Sequence, residues 1–142
     1  MPNRQDHATQ LARRLLGGMA QVHHILVVDD DPAIRDVVAD ILAMSDYRVE
    51  TASNGAEALA HIRAARPAAV LLDLMMPVMD GWEFLRQCRR EPPCAPVPVV
   101  VMSAARDAGS VADDLGAQAF LPKPFELDDV LNVVERLARV HQ

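Results

Sequence analysis

The sequence predicts an α/β fold, a doubly wound sheet of five parallel strands with helices on both faces. Short β-type runs alternate with helical patterns five times along the 142 residues, as consecutive βα units do. Right-handed crossovers then restrict the topology to a doubly wound sheet. The third run, "AAVLLDL" over residues 68–74, is almost wholly apolar, as a central strand covered on both faces must be.

Each element has its own signal. "HILVV" (24–28) is the first strand. Asp31 caps the next helix, and Pro32 occupies its first position, where a missing N–H costs nothing. Ala33, Ile34, Val37, Val38, Ile41 and Leu42 give that helix an apolar stripe at 3.6-residue spacing. "YRVETA" (47–52) is a more polar strand, suited to an edge. Asn54 and Glu57 mark a capping-box-like start to helix two, which runs to about Arg66 and is stopped by Pro67. After strand three and the turn "MMPVMDG", helix three covers about 81–90 with Phe84, Leu85 and Cys88 inward. A loop with four prolines between 92 and 98 leads to strand four, "VPVVVMS" (97–103). A weak helix over about 108–116 stops at Gly116. Strand five is "AFLP" (119–122). Helix five, from about Glu126 to Val140, carries Leu127, Val130, Leu131, Val134, Leu137 and Ala138 on one face and leaves Val133 and Val140 exposed outside it.

Residues 1–22 match none of these units and read as an N-terminal extension, flexible or partly helical, before a domain over 23–142. Leu11, Leu15 and Met19 keep helical spacing there, but Gly17 and Gly18 interrupt it, at about 1 kcal/mol each relative to Ala. Met19 is an alternative start.

Composition narrows the function classes. A chain of this length makes one domain, and 51% hydrophobic residues suffice for one core. A net charge of −6 gives no support to direct contact with nucleic acid or an anionic membrane, both of which call for a basic face. No apolar run approaches the roughly 18 residues of a transmembrane helix, and no signal-peptide core precedes the domain. A cytoplasmic protein is expected. Cys88 and Cys94 have neither zinc nor thioredoxin-like spacing and read as reduced thiols without a role. The five histidines form no helical ligand pair.

In doubly wound sheets ligands sit beyond the C-terminal ends of the strands. Strand one ends in Asp29 and Asp30, strand three in Asp73, strand four in Ser103 and strand five in Lys123. Unpaired acids so placed repel: two charges about 4 Å apart cost on the order of 1 kcal/mol in water and about 4 at an effective dielectric near 20. Clustered hard oxygens suit Mg²⁺, which takes one or two carboxylates and keeps several waters. A lysine and a hydroxyl suit a phosphoryl group, and one carboxylate could act as nucleophile toward phosphorus. A structural ion-pair cluster is the plain alternative, against which four agreeing strand ends weigh. Asp31 is assigned to helix capping instead.

The blocks "ILVVDDDP", "LLDLMMPVMDG", "VVVMSA" and "LPKPF" resemble, in order and at near-family spacing, the receiver domain of two-component response regulators, over about residues 24–140. The resemblance implies a flavodoxin-like (βα)5 fold with strand order 2-1-3-4-5. It implies Asp73 as phosphoacceptor, Asp30 as a direct Mg²⁺ ligand, Asp29 as a ligand acting through water, and the backbone carbonyl of Met75 as the third protein ligand. By the same match, Ser103 and the backbone N–H of Ala104 bind the phosphoryl group and Lys123 pairs with it, before a Pro124 whose bond is usually cis. Phe120 falls at the aromatic switch position, where it would move in concert with Ser103. From the residues alone, an aromatic packing on helix five serves equally.

The function implied is a stand-alone receiver that takes a phosphoryl group from a sensor histidine kinase or a histidine phosphotransfer protein. It would signal through helix four, strand five and helix five, to a downstream protein or a second copy. It would be no enzyme beyond self-directed phosphotransfer and autodephosphorylation. The alternatives are a phosphorelay intermediate, or a receiver detached from a hybrid kinase or DNA-binding regulator. An aspartyl-phosphate phosphatase of the haloacid dehalogenase type fits less well, because its nucleophile ends strand one. The span from Ser103 to Lys123 is slightly short for the family, so helix four is expected to be stunted.

Overall fold

The computed structural model describes residues 23–105 and 108–140; the expected N-terminal extension lies outside them. Among the described residues, strands β1 (His24–Val28), β2 (Arg48–Ala52), β3 (Ala69–Asp73), β4 (Val99–Ser103) and β5 (Ala119–Pro122) alternate with helices α1 (Pro32–Met44), α2 (Gly55–Ala64), α3 (Gly81–Arg90), α4 (Ala108–Asp114) and α5 (Leu127–Val140). The strands form one parallel sheet in the order β2-β1-β3-β4-β5. This is the architecture and strand order expected. None of the described helices is long and apolar enough to cross a membrane.

Alternation along the strands divides the core. Leu26, Val28, Val70, Leu72, Val99 and Val101 face α2 and α3, meeting Leu59, Ile62, Phe84 and Leu85. Ile25, Val27, Leu71, Val100 and Met102 face α1 and α5, meeting Val38, Leu42, Val130 and Val134. All five residues of β3 and of β4 are buried. At about 1.5–3 kcal/mol per large apolar side chain, these two strands anchor the sheet and fix what stands at their ends. On β2 only Ala52 is fully buried, as the polar sequence of an edge strand requires.

The helix starts are set by side-chain caps. Asp31 accepts the Ala33 N–H at 2.9 Å, Asn54 accepts that of Glu57 at 3.0 Å, and Asp80 accepts that of Glu83 at 2.9 Å. The Glu57 carboxylate reaches back to the N–H and hydroxyl of Ser53, one residue earlier than a capping box uses. Helix α4 spans seven residues and is stunted as expected. Gly116 follows it with φ +81°, a left-handed conformation that glycine adopts without steric cost.

Several expectations are corrected. Helix α2 ends at Ala64, because Ala65 is already extended and Pro67 disfavours helical backbone at Arg66. On α1 the stripe is centred on Val38 and Leu42, which leaves Val37 49% exposed. On α5, Val133 is buried. With Val130, Val134, Leu137 and Ala138 it makes an i, i+3, i+4, i+7, i+8 face, rotated from the one expected, and Leu127 is left at the exposed border. The side chain of Val140 lies outside the described set. Cys88 and Cys94 are a disulfide pair, fully buried, with Cα atoms 4.9 Å apart. Spacing gave no warning, because the pair forms only when the loop after α3 folds back on the helix's last turn.

Candidate functional site

The strand ends converge at the C-terminal rim. Parallel register sets Asp73 beside Met102 on β4 and Ser103 beside Pro122 on β5. The Lys123 N–H then donates to the Ser103 carbonyl at 2.9 Å, which brings the lysine to the rim between β4 and the acids. The Lys123–Pro124 peptide is cis. Carboxylate oxygens of Asp29, Asp30 and Asp73 lie within 4.8 Å of one another. Together with Met75, Ser103, Ala104 and Lys123 they line an open cleft of about 390 Å³.

Within the cleft the three acids differ. Asp29 is fully buried. Its Oδ1 accepts the Asp31 N–H at 2.9 Å and its Oδ2 accepts Lys123 Nζ at 3.0 Å. Asp30 is exposed. Asp73 is 6% exposed; its Oδ1 lies 3.5 Å from Lys123 Nζ and accepts the Met75 N–H at 3.4 Å. Burial pushes the Asp73 carboxyl up to about 6, and the charge of Asp29 and the Asp30 carboxyl add to this, against the opposing pull of Lys123 and the Met75 N–H. Burial works against the charge of Lys123, but its hydrogen bond to Asp29 and the charges of Asp29 and Asp73 outweigh that and raise its pKa.

Ser103 is buried, and its hydroxyl oxygen accepts the Ala105 N–H at 3.1 Å. Phe120 packs on the face of β5 away from α5, with its ring edge 3.3 Å from where a Cβ on Gly109 would sit. This excludes the alternative of an aromatic packed on helix five. The other expected residues, Asp29, Asp30, Asp73, Met75, Ser103, Ala104 and Lys123, all reach the cleft.

Two supports were not foreseen. Arg35, one turn into α1, donates through Nη1 to the Asp29 carbonyl at 3.1 Å and fixes the backbone bearing the acids. Gly81 opens α3 against β3: a Cβ there would stand 2.6 Å from the Asp73 carbonyl oxygen. Its place after the capping Asp80 was the available signal. Beside the cleft lies a second depression of about 570 Å³, lined by Val37, Val38, Phe125 and Leu127 and sharing Ile34, Ala104 and Lys123 with the acidic cleft.

The donor set fits a hard divalent cation. Three carboxylates face one lysine, so the cluster carries excess negative charge, and its donors are oxygens. Such a site can bind a cation and a phosphoryl group side by side, with Asp73 reachable by both.

Comparison with known proteins agrees with this arrangement. The family model of the response regulator receiver domain matches residues 25–135. Response regulator MprA of Mycolicibacterium vanbaalenii is 46% identical over 118 residues, covering 81% of this chain and 50% of that protein. The chain thus spans about half the length of the curated relatives it matches. Among solved structures, a putative response regulator from Chloroflexus aurantiacus superposes with a TM-score of 0.79 at 27% identity, covering 84% of this chain and 99% of that one. The chemotaxis response regulator CheY4 of Vibrio cholerae gives a TM-score of 0.77 at 32% identity over 82% of this chain and 99% of its own. The receiver domain of the sensor histidine kinase PA1611 of Pseudomonas aeruginosa, which holds a magnesium ion in its active-site cleft, gives 0.77 at 26% identity over 84% and 99%. With the family model covering most of the chain and the fold, strand order and acidic rim in agreement, this chain belongs to the response regulator receiver domain family.

Proposed function

We propose that Asp73 accepts a phosphoryl group from a phosphohistidine, and that the domain signals through the change this produces. The observation that carries the reading is a buried carboxylate at the end of the central strand, raised to about 6 yet ionised near neutral pH, with a lysine 3.5 Å away. One Asp73 oxygen attacks phosphorus, an O–P bond forms and the N–P bond of the phosphohistidine breaks, with its electron pair leaving on the imidazole. Lys123 turns from Asp29 toward a phosphoryl oxygen. The Ser103 hydroxyl gives up its local turn to donate to a second, and the Ala104 N–H serves a third. Asp30, Asp73 and the Met75 carbonyl would hold Mg²⁺ directly, with Asp29 acting through water. When bound, the ion neutralises charge gathering on the phosphoryl oxygens. Phe120, on the α4 side of β5, would follow Ser103 and carry the change to α4, β5 and α5.

The phosphohistidine donor docks on the apolar depression next to the cleft, because Ile34, Ala104 and Lys123 line both. Val37→Asp should slow transfer from a phosphorylated histidine donor and leave labelling by a small phosphodonor intact. We also propose that residues 1–22 form an extension outside the domain, since the rim residues named above run from Asp29 to Lys123; a chain begun at Met19 should keep its thermal midpoint within a few degrees. The intact mass of the natural product distinguishes a stand-alone receiver of 142 residues from the receiving part of a longer regulator.

The test of the central reading is covalent. A small acyl phosphate with Mg²⁺ should add one phosphoryl group to the wild type, seen by intact mass, and none to Asp73→Asn. Equal labelling of that variant at another residue overturns the assignment.

A further inference from the structure

We propose that Cys88 and Cys94 form a reversible dithiol–disulfide site whose state sets, through Arg89, how firmly the entry to β5 is held. The pair lies at the end of the sheet opposite Asp73, and the phosphoryl chemistry does not use it.

The geometry accommodates both states. Cys88 is in the last turn of α3, and Cys94 follows the turn in which the N–H groups of Cys94 and Ala95 both donate to the Glu91 carbonyl. Their Cα atoms are 4.9 Å apart, within the range a disulfide bridges. The Cys94 carbonyl oxygen also stands 3.2 Å from Cys88 Sγ. A reduced Cys88 thiol therefore has a buried acceptor in place, and reduction strands no donor. Pro92, Pro93 and Pro96 flank Cys94 along the chain and are exposed, while both cysteines are fully buried. Exchange requires the loop that carries Cys94 to open.

Arg89 links the pair to β5. Its Nη1 donates to the carbonyls of Ala95 and Val97 at 2.9 and 3.0 Å, on the segment that Cys94 pins. Its Nη2 donates to the Gly116 carbonyl at 2.8 Å and to Gln118 Oε1 at 3.3 Å, on the segment entering β5. Gln118 Oε1 in turn accepts the Val99 N–H at 2.7 Å. No carboxylate is among these partners. The guanidinium is anchored by carbonyls on both sides, so freedom gained by residues 94–97 passes to residues 116–118.

The redox step is thiol–disulfide exchange with a dithiol reductant. One of its thiolates attacks Cys88 or Cys94, the S–S bond breaks and a mixed disulfide forms. Its second thiolate then displaces the protein sulfur. Two electrons and two protons pass to the protein, and the reductant leaves as its disulfide. Oxidation by a low-molecular-weight disulfide reverses each step.

Hydrogen–deuterium exchange on the full chain carrying Asp73→Asn tests this without reference to phosphorylation, so that its failure and failure of the phosphoacceptor reading are separate results. Dithiothreitol should make two cysteines available to alkylation, seen by mass, where the oxidised protein takes up none. It should speed exchange several-fold over residues 91–99 and also over 115–121. In Arg89→Gln the first change should persist and the second vanish. Cys88→Ser should match the reduced protein in both buffers, which keeps the test open if the arginine variant does not fold. Two alkylatable thiols under every oxidising condition, or identical exchange over 115–121 in the two states, overturns the proposal.

Discussion

Lys123 is held closer to Asp29 than to Asp73, with Nζ 3.0 Å from Asp29 Oδ2 and 3.5 Å from Asp73 Oδ1. Asp29 is fully buried and needs the ammonium to offset its lost hydration. Asp73 keeps the weaker share, and burial leaves its carboxyl raised to about 6, still mostly ionised at neutral pH. The same lysine thus stabilises the resting site and is available to a new anion.

Removing that cation should show the first role directly. Breaking a buried pair by deleting one partner typically costs about 3–5 kcal/mol, and the partial exposure of Lys123 reduces this to about 2–4. Lys123→Met should lose stability of that order in urea titrations at neutral pH with a chelator present. Added Mg²⁺ should recover part of the loss. Unchanged stability would mean that Asp29 is compensated elsewhere.

The raised Asp73 carboxyl makes stability depend on pH. Its folded value, about 6, lies above the ordinary 3.8, so the fold favours the protonated form. That contribution is complete below about pH 4 and is lost as pH rises through about 6, by on the order of 2–3 kcal/mol. Asp73→Asn cannot ionise. In Mg²⁺-free buffer its stability relative to wild type should therefore increase from pH 4 to 7.5, and Mg²⁺ should narrow the gap at the upper end. A gap independent of pH would refute the shift.

Loss of phosphate should be slow. Met75, 66% exposed at the cleft, and Ala105, whose N–H serves Ser103, offer no carboxylate or amide side chain to orient an attacking water. Acyl-phosphate decay with Mg²⁺ present should take minutes to hours. Met75→Asn should quicken it by about tenfold to a hundredfold. Decay of the wild type within seconds would contradict this.

Gly81 should tolerate no side chain. A Cβ there would meet the Asp73 carbonyl oxygen at 2.6 Å and Leu74 Cα at 2.7 Å, both backbone atoms that cannot swing aside. Gly81→Ala should cost about 2–3 kcal/mol and disturb Asp73 together with α3. Calorimetry would register the loss, and an alanine variant as stable as wild type would show that the α3 start can shift freely.

What the sequence made legible was whatever local chemistry decides. The apolar runs of β1, β3 and β4 announced buried strands, Asp31 and Asn54 announced helix starts, and the strand-end acids announced the rim. Periodicity gave the stripes of α1 and α5 without their centres, because burial depends on how each helix rolls on the sheet. Val37 was accordingly placed inside and Val133 outside. Arg35 and Arg89 act on backbone carbonyls, which no residue pattern encodes. The Cys88–Cys94 pairing is a property of a folded loop, and a separation of six residues matches no short motif.

The contact between Lys123 and Asp29 joins residues 94 positions apart. Along the chain Asp29 and Asp30 come first, Asp73 and Ser103 next, and Lys123 after them. A nascent polypeptide that has emerged only through β4 can pair β1, β3 and β4, yet Asp29, at the end of β1, lacks its ammonium partner until β5 docks on β4. Such a long-range closure is entropically late. The acidic cleft therefore gains its cation only with β5, so the strand that closes the sheet also sets the charge balance at its rim.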